Sequence, residues 1–562
     1  MGCSVWRGAS VTAAARDGSP MDATLFTNGT LYLGAGAFER ASLLVIGDRI
    51  VDVIPDGGEL QTAAHLVDLA GGTLLPGFQD AHVHPLLAGL QSLGIDLKPV
   101  HDRGEYLRLI ADYAAANPTA PVLTGGGWFG DVFEGGFPTA AELEGIDERP
   151  IMLHSHDAHG MWVNTAALRA AGIDRATPDP QGGRLIRDGL GQPTGMLLES
   201  AVALVEHLMP APDEALVEAA LEAAQHELHS VGVTAWQDAA VGDSDLGPNP
   251  LPAYLRLAAD GRLTARVVLA QWWDRARGVE QIADFERVRA EAAEVGVDAG
   301  TVKVMIDGMV ENHTASMLEP FEGHPGDVGI AFLSPEALVE LTTALDAADF
   351  QVHFHAVGDA ATRHALDAVE AAIRRNGRRG NRHHVAHLDL IDPSDIARFA
   401  ELDVAANVTA VWARRDEEIV HRKLPLLGPE RELTHFPFGD LHRAGARIVG
   451  GSDWPVTTPN PLWSIRTAVT RTGLVEDPHA IGDGVLTHPL LGEQALPLGV
   501  ALDAYLAEAA WVNRLEGDTG RLEAGRLADL VWVDADLSDL DAYGSASVRR
   551  TYLGGVVVYQ AP

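Results

Sequence analysis

TLLPGFQDAHVHP, residues 73–85, opens as an apolar run and ends on two histidines. In a strand, residues i and i+2 point to one face, so His82 and His84 project together from the end of this stretch. Seven further apolar stretches read as strands: VGVTAWQDA (231–239), TARVVLAQWW (264–273), GTVKVMIDG (300–308), FQVHFHAVGD (350–359), HHVAHLDLI (383–391), DVAANVTAVW (403–412) and ARIVGGSDWPV (446–456). Amphipathic, Ala-rich stretches lie between several of them. Residues 212–232 and 334–349 both open with a Pro and acidic residues, as helix starts prefer. Eight strand–helix units predict an α/β fold, a closed (β/α)8 TIM barrel more than an open sheet.

Working outward, residues 21–79 and 519–562 read differently. TLYLG, SLLVIGDRI and VDVI near the start, and ADLVWVDAD and TYLGGVVVY near the end, are short strands separated by turns. Neither piece is long enough for its own core, so they predict one small β-sandwich formed from both chain ends. The barrel then occupies 80–518. The gap from about 100 to 228 is too long for one strand–helix step and predicts an inserted subdomain over the barrel mouth. Residues 1–20 read as a disordered extension, with Met21 as the true start.

The 562 residues carry 79 acidic and 41 basic side chains, a formal net charge of −38. Duplex binding needs a basic surface of clustered Lys and Arg, which this acidic balance does not supply, so nucleic acid is set aside as a partner. The acidity suits solubility. No run reaches the ~18 apolar residues of a membrane span, and the first 20 residues make a poor signal peptide. A cytoplasmic protein with a small-molecule substrate and no membrane partner is expected, and a homodimer is left open. The single cysteine, Cys3, excludes a disulfide framework and any Cys-rich metal site.

Any metal must therefore be held by His, Asp, Glu or a modified side chain. A lone HxH is weak evidence. However, His355, His387 and Asp453 each end another strand before a turn. Four His and one Asp at strand ends would converge on one mouth, where barrel enzymes place their sites. Imidazole and carboxylate suit zinc and related divalent ions. Lys303 is one of only three lysines, and it lies inside an apolar strand, where an ammonium is costly. Such an amine can have its pKa depressed and react, for example with CO2; the plainer reading is a head group that snorkels to the mouth. Lys98 and Lys423 have no comparable setting and read as lysines without a chemical role. His159, Trp128, Asp307, Glu311 and His313 are candidate substrate-binding residues, with Asn164, Glu199 and Trp454 weaker.

The order HxH, strand-end Lys, His, His, Asp resembles the amidohydrolase superfamily, and PGFQDAHVHP looks like its PGFxDxHxH signature. GRLEAGRLADLVWVDAD followed by YLGGVVVY is similar to its closing sandwich segment. VKVMIDGMVENHTA, HFHAVGD and GSDWPV look more narrowly like the branch of the N-substituted formamide deformylases. The resemblance implies that His82, His84 and Asp453 hold the more buried metal. It implies that His355 and His387 hold a second, that carboxylated Lys303 bridges them, and that Asp453 is the catalytic proton carrier. The metal count stays at one or two. The implied activity is hydrolysis of a C–N bond in an amide or N-substituted formamide. Alternatives on the same site are a cyclic amide, an ester or lactone, or a deaminated ring. A barrel that has lost catalysis and serves as a binding or regulatory protein is the rival of another class, and the intact ligand set argues against it.

Overall fold

The computed structural model describes residues 23–58, 65–209, 211–244 and 246–562; the expectations for residues 1–20 and Met21 lie outside them. The eight strands read from the sequence form one parallel sheet in chain order. They are β1 (Phe78–Val83), β2 (Val233–Val241), β3 (Arg266–Trp272), β4 (Asp298–Met305), β5 (Gln351–Ala356), β6 (His384–His387), β7 (Ala405–Val408) and β8 (Ile448–Gly450). The last strand returns to the first: Asp453 N–H donates to His82 O at 2.8 Å, and His84 N–H to Trp454 O at 2.8 Å. Closure thus runs through the two segments that carry His82, His84 and Asp453.

Helices cover the outside. Pro335–Ala347 starts where Ser334 Oγ accepts the Ala337 N–H, with Pro335 and Glu336 in the first turn; such a cap is worth about 1 kcal/mol. It buries Leu338, Leu341 and Leu345 against the barrel. Glu214–Ser230 is capped by Asp213 and buries Val217, Ala220, Leu221, Ala224 and Leu228. That stripe, at helical spacing, joins the barrel core. The inserted subdomain accordingly ends before this helix, not at 228.

The insert contains a six-stranded sheet running from Ile95–Asp96 to Pro193–Glu199. It has its own core, in which Tyr106, Ile110, Phe133, Leu143 and Trp162 meet. The two chain ends meet in one eight-stranded sheet. Its long strand Ala23–Tyr32 pairs with His65–Asp68 along its first half and with Thr73–Pro76 further on. Phe26, Leu31, Leu43, Val67, Leu74, Leu530 and Tyr552 fill the space that it encloses. Gly77 links this sheet to β1; a Cβ there would lie 2.2 Å from Thr234 Oγ1, so no larger residue fits. Among the described residues no helix is long and apolar enough to cross a membrane.

Candidate metal centre

His82 and His84 share a face at the end of β1. Their Nε2 atoms lie 3.0 and 3.1 Å from the same oxygen, Oδ1 of Asp453. Two features bring Asp453 there. Asp80 Oδ1 accepts both the His82 and the Ser452 N–H, each at 3.0 Å, pinning the two segments together. Gly451 permits the approach: a Cβ would fall 2.7 Å from His82 Cβ and 2.6 Å from Asn407 Oδ1. Asp453 is buried, with the rings of His82, His84 and His387 around its carboxyl. Asp453 and His387 sit at φ of 57° and 77°. For residues with a Cβ this costs about 1–3 kcal/mol each, and it persists only where the surroundings over-determine it.

His387 Nδ1 lies 3.7 Å from Asp453 Oδ2. The His387 ring is 4.8 Å from that of His82 and 4.4 Å from that of His355. Lys303, on β4, points its Nζ to 3.5 Å from His82 Nδ1. It is 1% exposed, and burial lowers its amine to about 7, with only partial compensation from Asp453. Burial likewise holds His82, His355 and His387 far below the ordinary imidazole value, hence neutral.

His82 Nε2 and both ring nitrogens of His355 and His387 are buried without a hydrogen-bond partner. Orphaned buried nitrogens are rare in folded proteins and call for an explanation. Here they converge with a carboxylate, and the His82, His84 and Asp453 ligand atoms lie within 4.8 Å of one another. This donor set fits a divalent cation. All six residues line one cavity.

The expected substrate-binding residues divide. His159 lines this cavity, its ring 5.3 Å from that of His355. Its Nδ1 lies 2.9 Å from Glu199 Oε2, and Thr314 Oγ donates to Glu199 Oε1 at 2.6 Å. Burial works against the charge on His159, but Glu199 outweighs it and raises the imidazole to about 9. Because that lies above the ~6.5 of an unfolded histidine, the pair's contribution is complete below about pH 6.5 and lost as pH rises through about 9. Glu199→Gln is therefore expected to lower Tm at neutral pH by a margin that shrinks toward pH 10. Melting curves of both proteins across that range would show it, and a constant margin would contradict it.

Trp128 does not line the cavity. It is buried in the insert core against Phe133 and Trp162, and its Nε1 donates to Leu153 O at 2.9 Å; its indole completes an apolar core that needs a large ring. His313 also lies elsewhere, with Nδ1 3.0 Å from Asp327 Oδ2 and its ring against Phe321 and His324. Asp307 is fully buried and accepts the Ser316, Val357 and Gly358 N–H groups. It lies 3.3 Å from His355 Nδ1, and Val357 and Gly358 belong to the turn that follows the strand carrying His355. Asn164 caps the helix Thr165–Ala170 and braces Ile151 and Arg149.

Glu311 and Trp454 line a second, outer compartment. The two compartments share Asp157, Met309, Trp412 and Val456. Phe129, Trp412, Trp454 and Trp463 give the outer one aromatic walls. Trp412 also stacks on His387, with ring centroids 5.5 Å apart and planes at 10°. Contrary to the expectation, Lys423 has a buried setting. It is 3% exposed, 2.8 Å from Asp389 Oδ2 and 3.5 Å from Glu311 Oε2, and its Nζ lies 5.1 Å from the Trp412 ring centre. Those carboxylates, on loops distant in sequence, compensate its burial.

The chain is 30% identical over 552 residues to the protein LONG AFTER FAR-RED 3 of Arabidopsis thaliana, covering 95% of this chain and 91% of that one. It is 27% identical over 549 residues to the N-substituted formamide deformylase of Arthrobacter pascens, covering 92% and 95%. The crystal structure of an uncharacterized metal-dependent hydrolase from Pyrococcus furiosus has the same fold, with a TM-score of 0.68 at 22% identity over 92% of this chain and 100% of that one. The model of the amidohydrolase family matches residues 65–559. With that match spanning the whole barrel, the chain belongs to the amidohydrolase family.

Proposed function

We propose that the protein hydrolyses a C–N bond in a small molecule, an amide and most specifically an N-substituted formamide. The convergence of His82, His84, Asp453, His355, His387 and Lys303 on one cavity carries this reading. His82, His84 and Asp453 would hold a divalent ion, and His355, His387 and Lys303 would hold a second; bound there, such ions would lower the pKa of a water and polarise the carbonyl.

The chain's own groups do the rest. Asp453, ionised and buried beside His82 and His84, accepts a proton as water oxygen bonds to the carbonyl carbon. It returns that proton to the nitrogen as the C–N bond breaks, so that acid and amine leave with atoms balanced. His159, held cationic by Glu199, donates a hydrogen bond to the carbonyl oxygen as negative charge develops there. Lys303, with its amine lowered to about 7, has a neutral fraction that adds CO2. A carbamate N–C bond forms and one proton leaves, and the resulting carboxylate would be a further oxygen donor beside His82.

The aromatic walls of the outer compartment accept an apolar N-substituent, in agreement with the name of the Arthrobacter pascens relative. A panel of N-substituted formamides, the matching acetamides, esters, lactones and cyclic amides tests the bond. Formate release is expected, with the extra methyl of the acetamide costing about 10–200-fold in kcat/KM. Turnover of the esters or cyclic amides alone would overturn the formamide reading while leaving the metal centre in place.

A further inference from the structure

The inward face of β5 carries Gln351, His353 and His355 at successive alternate positions. Only His355 reaches the cavity. The two below it belong to a polar chain across the barrel interior. β1 and β5 are not neighbours in the sheet, nor are β2 and β5, so contacts between them pass through the interior.

The lower end of this chain has only one hydrogen-bonding solution. The Gln351 amide points one end at two main-chain carbonyls, Arg382 O at 2.8 Å and Val512 O at 3.0 Å. Carbonyls only accept, so that end is the NH2 group. The other end is oxygen, and it accepts from Thr301 Oγ at 2.8 Å and from the Gln237 amide at 3.1 Å. The Gln237 group facing it is then NH2, and Gln237 Oε1 faces His353 Nδ1 at 2.7 Å. His353 must donate from Nδ1, which leaves a lone pair on its Nε2. That nitrogen lies 2.7 Å from His82 Nδ1. The contact of His82 Nδ1 with Lys303 Nζ is longer, at 3.5 Å.

We infer that Gln351, Gln237 and His353 form a hydrogen-bond chain of fixed polarity that keeps the His82 proton on Nδ1 and its lone pair on Nε2. His353 is fully buried and its polar contacts are Gln237 Oε1 and His82 Nδ1, with no carboxylate among the described residues against it to balance a second ring proton, so it donates from Nδ1 alone. The consequence lies at the other edge of the His82 ring. Nε2 presents a lone pair to Asp453 Oδ1 at 3.0 Å without forming a hydrogen bond. Two acceptors so placed repel each other unless a cation lies between them. The barrel interior thus organises His82 as a ligand in advance, and His353, Gln237 and Gln351 are positioning residues. A ligand histidine's other nitrogen usually meets a carboxylate, carbonyl or water; here a second histidine takes that place, and its own polarity is set two residues further down.

Long-range 15N–1H spectra of the full-length protein labelled at histidine test this directly, recorded with Zn2+ bound and again after chelation, with His82 assigned from the His82→Asn variant. In both states the Nδ1 of His82 should carry the proton and Nε2 should show none. A proton on Nε2 after chelation, or metal bound through Nδ1, would overturn the inference. The wild-type spectrum needs no variant to fold. A second arm uses affinity for Zn2+ by chelator competition. His353→Phe and Gln237→Leu should each weaken it by about 10–100-fold, whereas His353→Gln, whose amide oxygen can still accept from His82, should recover most of the loss. Equal losses in His353→Phe and His353→Gln would contradict the chain. This arm rests on His82 being a metal ligand and the tautomer arm does not. If the metal reading fails, no variant shows Zn2+ affinity, but the Nδ1–H signature remains.

Discussion

Asp453→Asn is expected to lower kcat by about 10^2–10^4-fold, the range for loss of a positioned acid–base group. The amide keeps the size of the side chain but cannot take up a proton. The carboxylate sits where that transfer must occur, 3.0 and 3.1 Å from His82 and His84 and 3.7 Å from His387. Because Asp453 is also one of the grouped ligand residues, metal content must be read in the same sample. A large fall in rate with metal retained isolates the proton role, and a fall in both joins the two roles. A loss of tenfold or less with full metal would move the proton role to another residue, with His159 the first candidate at that cavity.

Lys303→Arg is expected to abolish binding of a second metal ion and to lower activity by more than the roughly 10–100-fold of an outer-shell change. Arginine is comparable in reach and also cationic, but it cannot be carboxylated and stays charged. A permanent charge at a site 1% exposed, with imidazoles on several sides, has no good partner. The comparison uses metal per chain and rate, each measured with bicarbonate present. Wild-type values for both in the variant would remove Lys303 from the centre and leave a snorkelling amine as its description.

Much of this site was legible because its signals are local and periodic. A strand that ends on HxH states its face as well as its end, which places His82 and His84 together, although the pair alone says little of a metal. His355, His387 and Asp453 follow the same rule, as apolar runs stopped by a polar side chain before a turn. The eight strands were legible for the same reason.

Where sequence and structure part, the deciding partner is far along the chain. Trp128 and the aromatic Phe129 beside it are alike locally, yet Trp128 fills the insert core and Phe129 faces the outer compartment. His313 follows the Lys303 strand closely but turns to Asp327. Lys423, in EIVHRKLP, gives no sign of its buried setting, because nothing nearby announces Asp389 and Glu311. The helix Glu214–Ser230 was recognised, but its stripe does not say whether barrel or insert receives it. The run QVHFH did hold a clue. Its alternation puts Gln351 and His353 on the face of His355, and the polar Gln237 interrupts an apolar strand in the same layer. What no local pattern supplies is the contact across the barrel that gives those residues their role.

Elemental analysis of the purified protein tests most directly whether these side chains form a metal centre. Between one and two zinc-like ions per chain are expected, with two supporting the Lys303 bridge and one retaining the hydrolase without it. No bound metal, even after divalent ions are offered at neutral pH with bicarbonate, would contradict the account and favour a barrel that binds without catalysing.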